Sequence, residues 1–280
     1  MTRSPEPKTA DSPFRDLYIY YLRGRLQPGR CPDADDFLGN WEEDGYSFLF
    51  FGRPARERVE ALVDGDPGLD LLDETVMSYE QWQGGRIGAM TVAGFTIVPP
   101  WEAPPTDGAH RVIVLDPGLV FGNGLHPTTR DCLAAIELAC RPCVPRAAMD
   151  LGTGTGVLAV ALARCGIERV LAVDNNPLCV RTAADNVRRN GLENQVLVVQ
   201  GRAEDHAAAG ADLMVANIHH EVMGRLLKAE NLPSGRHVVL SGLLRSEARG
   251  VAARLSALGV EIRRQWTQDG IWHTFYGVRN

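Results

Sequence analysis
The sequence predicts an α/β protein in two parts: a seven-strand sheet, five strands parallel and the last two an antiparallel hairpin, preceded by a small N-terminal α+β domain. Three observations carry this. Apolar strand-like runs (AAMDL, RVLAVD, QVLVVQ, DLMVAN, HVVLSG) alternate with helical stretches such as VLAVALARC and PLCVRTAADNVRRN, and a parallel connection needs a crossover of that kind. The final two runs, VEIRRQW and WHTFYGVR, are separated only by TQDGI, a turn-rich spacing that suits a hairpin. Ahead of the alternation, PPWEAPPTDG holds four prolines in ten residues and propagates neither helix nor central strand.

The elements follow in order. Residues 1–15 mix Pro, Ser, Thr and alternating charges without an apolar period, the composition of a flexible tail. From Asp16, LYIYYL and YSFLFF read as strands and ARERVEALV has helical spacing, so residues 16–95 are expected to form the small α+β unit. Residues 96–110 are the expected proline-rich linker, and 111–280 carry the large sheet.

Composition narrows the classes of function. The 280 residues are 45% hydrophobic and 23% charged, enough for packed cores. With 29 Lys and Arg against 35 Asp and Glu the formal charge is −6; a broad phosphate-binding surface is disfavoured, no direct nucleic-acid recognition is expected, and a cationic partner fits better. No apolar run approaches the roughly 20 residues of a membrane helix, and the first residues lack the apolar core of a secretory signal. A cytoplasmic protein without membrane contact is the expectation. Six cysteines are too sparse for a disulfide scaffold and are read as reduced thiols.

The strongest chemical signal is Asp150-Leu151-Gly152-Thr153-Gly154-Thr155-Gly156, between an apolar strand and the helical run from Val157. Glycines let the chain turn sharply and let a ligand lie against the backbone, while the helix start supplies free N–H groups. The spacing is G-x-G-x-G, not the G-x-G-x-x-G of a dinucleotide site, and no Gly-Lys-Ser/Thr follows. Asp174 closes RVLAVD, 24 residues after Asp150, where a carboxylate can accept both hydroxyls of a ribose. Loop and carboxylate together point to an adenosine.

Four stretches go further: FTIVPPW, LDPGLVFGNGLHPTTRDCL, the Asp150 to Asp174 segment, and VANI at 215–218 followed by LSGLL at 240–244. They resemble the seven-strand, Rossmann-like methyltransferases that use S-adenosylmethionine, and more closely the ribosomal protein L11 methyltransferase (PrmA) family. The resemblance implies S-adenosyl-L-methionine as cofactor, no metal, and a cofactor pocket lined by Thr129, Gly152, Gly154, Asp174 and Asn217, with Asn217 near the transferred methyl. It implies a substrate-recognition role for residues 16–95, and methylation of lysine or α-amino groups of a large-subunit ribosomal protein. Two alternatives stay open: a lysine methyltransferase of another protein, and a non-catalytic cofactor-binding module. The family writes FGTGTHPTT where this chain has Asn123 and Leu125.

A sulfonium methyl needs a neutral amine delivered in line more than a strong acid or base. No catalytic residue is assigned beyond Asn217, the best candidate for orienting the acceptor amine. His219 and His220 invite a metal or base reading, but adjacent residues point in different directions and no third ligand follows. Cys140 and Cys143 form a C-x-x-C without a second pair. His126 is read as a structural hydrogen bonder or a helix neighbour. Trp101 and Phe121 either stack on the cofactor or pack domains, Glu204 either meets the adenine edge or is a solvated acid, and Arg188 and Arg189 complement a helix end.

Overall fold
The computed structural model describes residues 15–27, 29–105, 111–207, 209–228 and 237–279. The expected tail lies outside these, apart from Arg15. The chain divides into two compact units, one of residues 1–88 with 100–103, the other of 89–99 with 104–280.

The smaller unit is a four-stranded antiparallel sheet in the order β2-β3-β1-β4. Its elements are β1 (Asp16–Arg23), β2 (Phe37–Glu43), β3 (Tyr46–Phe51), α1 (Arg56–Asp64), β4 (Asp70–Ser78) and α2 (Tyr79–Trp82). The strands read from LYIYYL and YSFLFF are β1 and β3. Their edges, β2 and β4, lack a clean apolar period and are found only in the structure. Asp44 and Gly45, at φ +49° and +86°, make the two-residue turn between β2 and β3 that the twist of a hairpin favours. Tyr20, Leu22, Leu49, Phe51 and Val59 form the core between the sheet and α1, and the Tyr20 hydroxyl accepts the Ala55 N–H at 2.8 Å just before that helix.

The larger unit begins earlier than the sequence suggests. In it, β5 (Met90–Val92), β6 (Phe95–Val98) and β7 (Arg111–Val114) form a three-stranded sheet. The expected linker at 96–110 therefore starts inside a strand: β6 pairs in parallel with β7, Phe95 to Arg111 through Val98 to Val114, and this pairing ties residues 89–99 to the larger unit. Phe95 and Ile97 are buried in the same core as α3 (Pro127–Cys140) and α4 (Val157–Arg164).

The main sheet has seven strands in the order β10-β9-β8-β11-β12-β14-β13: β8 (Ala147–Leu151), β9 (Arg169–Asp174), β10 (Val196–Gln200), β11 (Leu213–Asn217), β12 (His237–Leu244), β13 (Val260–Gln268) and β14 (Trp272–Arg279). The first five are parallel, and β14 runs antiparallel between β12 and β13, as the sequence predicts. Helices α3, α4 and α5 (Pro177–Arg189) cover one face, and α6 (Ala203–His206), α7 (His220–Lys228) and α8 (Arg245–Ala257) the other. No helix among the described residues is long and apolar enough to cross a membrane.

Candidate functional site
The strand order reverses at β8, with β9 on one side and β11 on the other. Open parallel sheets bind ligands in the crevice at the carboxyl ends beside such a reversal. The predicted residues converge there: Gly152 follows β8, Asp174 ends β9 and Asn217 ends β11.

The glycine loop is closely packed on its Cβ side. Gly152 and Gly154 sit at φ +79° and +55°; a Cβ on the first would lie 2.2 Å from Cγ2 of Ile218, and on the second 2.4 Å from the Phe121 carbonyl oxygen. The missing Cβ atoms thus admit Ile218 and the segment around Phe121, and both glycines stay partly exposed. The loop's N–H groups are also committed. Gly152 and Thr153 donate to the Val173 carbonyl at 2.8 and 3.0 Å, Thr155 donates to that of Phe121 at 3.1 Å, and Gly156 to that of Thr153 at 2.8 Å.

The start of α4 departs from expectation. Val157 N–H donates to Thr155 Oγ1 at 3.3 Å, and Ala159 N–H to Asp150 Oδ2 at 3.1 Å, an oxygen that also accepts the Thr153 hydroxyl at 2.6 Å. These helix N–H groups are capped by the loop's own side chains and are not free. Asp150 is fully buried, its Oδ1 has no partner among the described residues, and burial pushes its carboxyl up to about 7.

Asp174 is half-buried, and desolvation raises its carboxyl above the ordinary range, offset by the hydrogen bonds it receives. Oδ2 accepts the Gly154 N–H and Oδ1 that of Asn176, both at 3.0 Å. The Cys179 thiol and the Asn175 N–H also hydrogen-bond to this carboxyl.

The HPTT segment forms the start of α3, with His126 as its N-cap. A directed chain of hydrogen bonds runs through it: Asn217 Nδ2 donates to Thr128 Oγ1 at 3.2 Å, and that hydroxyl lies 2.7 Å from His126 Nδ1. Burial lowers the His126 pKa, so the ring is neutral near pH 7, Nδ1 accepts, and the Thr128 hydroxyl donates to it. The amide of Asn217 is thereby held with Oδ1 free of this chain. That oxygen and the Ile218 carbonyl stand together beside Gly242, where a Cβ would lie 3.1 and 2.7 Å from them. Thr129, the threonine singled out in the sequence, is 1% exposed and its hydroxyl has no partner among the described residues.

Thr128 and the residues that brace the loop escaped the sequence reading. Asn186 on α5 donates to the carbonyls of Asp116 and Thr155, at 2.8 and 2.9 Å, and accepts the Asp116 N–H. A buried asparagine inside a helix was the available signal, since that residue is a poor helix former unless it has such work. Trp272 was also missed: its ring meets that of His126 at 5.0 Å, and Phe121, half exposed, meets His126 at 5.2 Å. Trp101 belongs to the smaller unit.

The remaining candidates fall elsewhere. Glu204 is held by Arg202 and Arg225 at 2.5 and 3.0 Å. His219 and His220 sit at the start of α7, Cys143 is exposed while Cys140 is buried, and no cluster able to hold a metal occurs among the described residues. Asn123 closes its own turn by accepting the Leu125 N–H at 2.8 Å. Arg188 pairs with Asp185, and Arg189 with Asp116 at 3.1 Å.

Comparison with known proteins gives a consistent result. The family model for the ribosomal protein L11 methyltransferase (PrmA) matches residues 75–280. The protein named ribosomal protein L11 methyltransferase from Pelotomaculum thermopropionicum is 40% identical over 178 residues, 63% of this chain and 57% of that protein. The one so named from Syntrophotalea carbinolica is 35% identical over 229 residues, 76% and 73% of the two chains. A crystal structure of a ribosomal protein L11 methylase from Lactobacillus delbrueckii subsp. bulgaricus superposes with a TM-score of 0.58 at 28% identity, covering 69% of this chain and 99% of that one. The chain spans between half and three-fifths of the first curated relatives it matches. From the glycine loop to VANI, every motif described above falls within the matched residues, and the chain belongs to the ribosomal protein L11 methyltransferase (PrmA) family.

Proposed function
We propose that this protein transfers the methyl group of S-adenosylmethionine to amino groups, lysine side chains or an α-amine, of a large-subunit ribosomal protein. The observation that carries the reading is the family match across residues 75–280, joined to a crevice where the glycine loop, Asp174 and Asn217 converge. The cofactor supplies an electrophilic methyl on a sulfonium; the protein has to bind it, orient the acceptor and keep that acceptor unprotonated.

Asp174, a half-buried carboxyl at the end of β9, is the proposed ribose ligand. Thr129 brings an unmet hydroxyl to the first turn of α3, and Gly152 and Gly154 shape the wall. An ammonium has no lone pair to attack with, so the acceptor must arrive as a neutral amine, which donates N–H hydrogen bonds. Asn217 Oδ1 and the Ile218 carbonyl are the proposed acceptors of those bonds. The chain through Thr128 to His126 keeps the amide from rotating to present its NH₂ group, so positioning does most of the catalytic work.

Label from methyl-labelled S-adenosylmethionine, added together with the purified protein to an extract that lacks it, is expected in one small ribosomal protein; label confined to RNA or metabolites discards the substrate assignment. A different target protein is the second reading, favoured by the start of the family match at residue 75, which leaves most of the smaller unit outside it. Intact-mass comparison of proteins with and without the gene separates the two. Calorimetry addresses the non-catalytic module: cofactor binding without methyl transfer to any protein would favour it.

A further inference from the structure
Helix α3 meets the main sheet mostly through apolar side chains, Leu133, Ile136 and Ala139 among them, and such contacts are not directional. Its first two turns also carry two polar ties. Thr128 accepts the Asn217 amide, and one turn further along Asp131, only 4% exposed, faces the closing hairpin. Asp131 Oδ1 accepts Gln268 Nε2 at 2.8 Å, and Oδ2 accepts the Thr274 hydroxyl at 3.3 Å. Thr274 has one hydrogen to give, so in its 2.5 Å contact with Ser241 the serine donates. Both residues are fully buried. Ser241 stands opposite Asn217 in the pairing of β11 with β12, so Asn217, Ser241 and Thr274 follow one another across three strands beneath α3.

No cation pairs with Asp131 among the described residues, and desolvation raises its carboxyl above the ordinary range, opposed by the two bonds it receives. An apolar side chain at such a buried point commonly costs less stability than a carboxyl. What the carboxyl adds is direction: two bonds of fixed geometry, to β13 and β14, stop α3 from sliding or rolling on its apolar face. The same hairpin touches the start of the helix. Gln268 pairs with Trp272 across the turn, and the Trp272 ring meets that of His126, whose Nδ1 takes the Thr128 hydroxyl. Thr128 is thus bracketed by hairpin contacts, at His126 before it and at Asp131 after it. We propose that Asp131 is a positioning residue for the transfer: by tying α3 to the hairpin it holds Thr128 against Asn217 and so fixes the amide that faces the acceptor amine. The role of Asn217 toward the acceptor rests on the proposed function; the tie between Asp131 and the Asn217 amide does not.

The test uses the full chain and three readouts: kcat and KM for the ribosomal acceptor, calorimetric affinity for S-adenosylmethionine, and the side-chain NH₂ resonances of Asn217 by NMR. Asp131→Leu is expected to lower kcat about tenfold, with KM and cofactor affinity within about twofold of native. Asp131→Asn still accepts from Gln268 and can donate to Thr274, and it should recover most of that loss. In a Thr128→Val background, Asp131→Leu should cost less than about twofold in kcat, because the tie it serves is already cut. Gln268→Leu removes only the bond to Oδ1 and serves where Asp131→Leu folds poorly; it should lower kcat about threefold with the same non-additivity. Losses that multiply in the double variant, equal losses of kcat and cofactor affinity, or an Asp131→Asn as poor as Asp131→Leu would show a support of the fold alone and overturn the proposal. Native kcat in both Asp131→Leu and Gln268→Leu would do the same. The Asn217 resonances should move in Asp131→Leu and return toward native in Asp131→Asn whether or not any methyl is transferred. Movement of this kind in a protein that methylates no protein would strike the proposed activity and leave the tie standing; unmoved resonances would overturn the tie.

Discussion

The glycine loop and the aromatic face of the four-stranded sheet, where Tyr21, Trp41, Tyr46 and Phe48 are half-buried, solve opposite problems. At the loop nearly every polar backbone group is committed inside the protein, and the space a methyl would need at Gly152 is filled by Ile218. On the sheet face the backbone ladder is ordinary, and what distinguishes it is a set of side chains without full cover. Geometry at a reacting centre tolerates little error, since a displacement of about 1 Å can cost a hundredfold in rate. Partly exposed side chains tolerate more, because fewer neighbours have to move when one is changed. The loop is therefore expected to be intolerant of substitution, and the sheet face to be tolerant.

The largest effect tests that intolerance. Gly152→Ala combines a left-handed φ with a Cβ 2.2 Å from Ile218, and should cost about 4 kcal/mol in chemical denaturation; a native-like value would show that the loop is looser than its packing implies. Next, Asp174→Ala removes both proposed ribose acceptors and should weaken S-adenosylmethionine about a hundredfold by calorimetry. Thr128→Val keeps the shape of α3 but cuts the chain from Asn217 to His126. It should lower kcat about tenfold with cofactor affinity unchanged, and an equal loss in both would mean that the chain only supports the fold.

A smaller effect concerns pH. The Asp150 carboxyl is raised from 3.8 to about 7 in the folded protein, so between those values the folded chain keeps a proton that the unfolded chain has lost. Its contribution to stability is fully present below 3.8 and is lost as pH rises through about 7. Denaturation across this window should lose stability by about 1 kcal/mol per pH unit from this group, and Asp150→Asn should flatten that slope. The smallest change sharpens the contrast with the sheet face: Glu43→Gln, at an exposed position, should shift stability by less than about 0.5 kcal/mol in chemical denaturation.

What was legible in the sequence was periodic or local. The parallel strands, the closing hairpin, Asp174 and Asn217 all sit at strand ends marked by apolar runs, and the structure brings them to one edge. Thr128 was not singled out beside Thr129 because two adjacent threonines differ only in which way a helix turns them, which the sequence pattern does not encode. The pairing of β6 with β7 was hidden because the prolines between them read as a boundary, while parallel partners are found only across such a crossover. The packing of Ile218 on the glycine loop was invisible for a similar reason: the residue after a strand distant in sequence supplies the atom that makes a glycine necessary.

Strand β14 lies between β12 and β13, and among the described residues β13 pairs with no other strand. During synthesis the large sheet thus stays open at β12 until Trp272–Arg279 has emerged from the ribosome, with β13 already made and unable to join it. Folding of this unit is expected to finish only after nearly all of it has been translated, and a nascent chain stalled short of Trp272 would display two bare strand edges to the chaperones that patrol the exit tunnel.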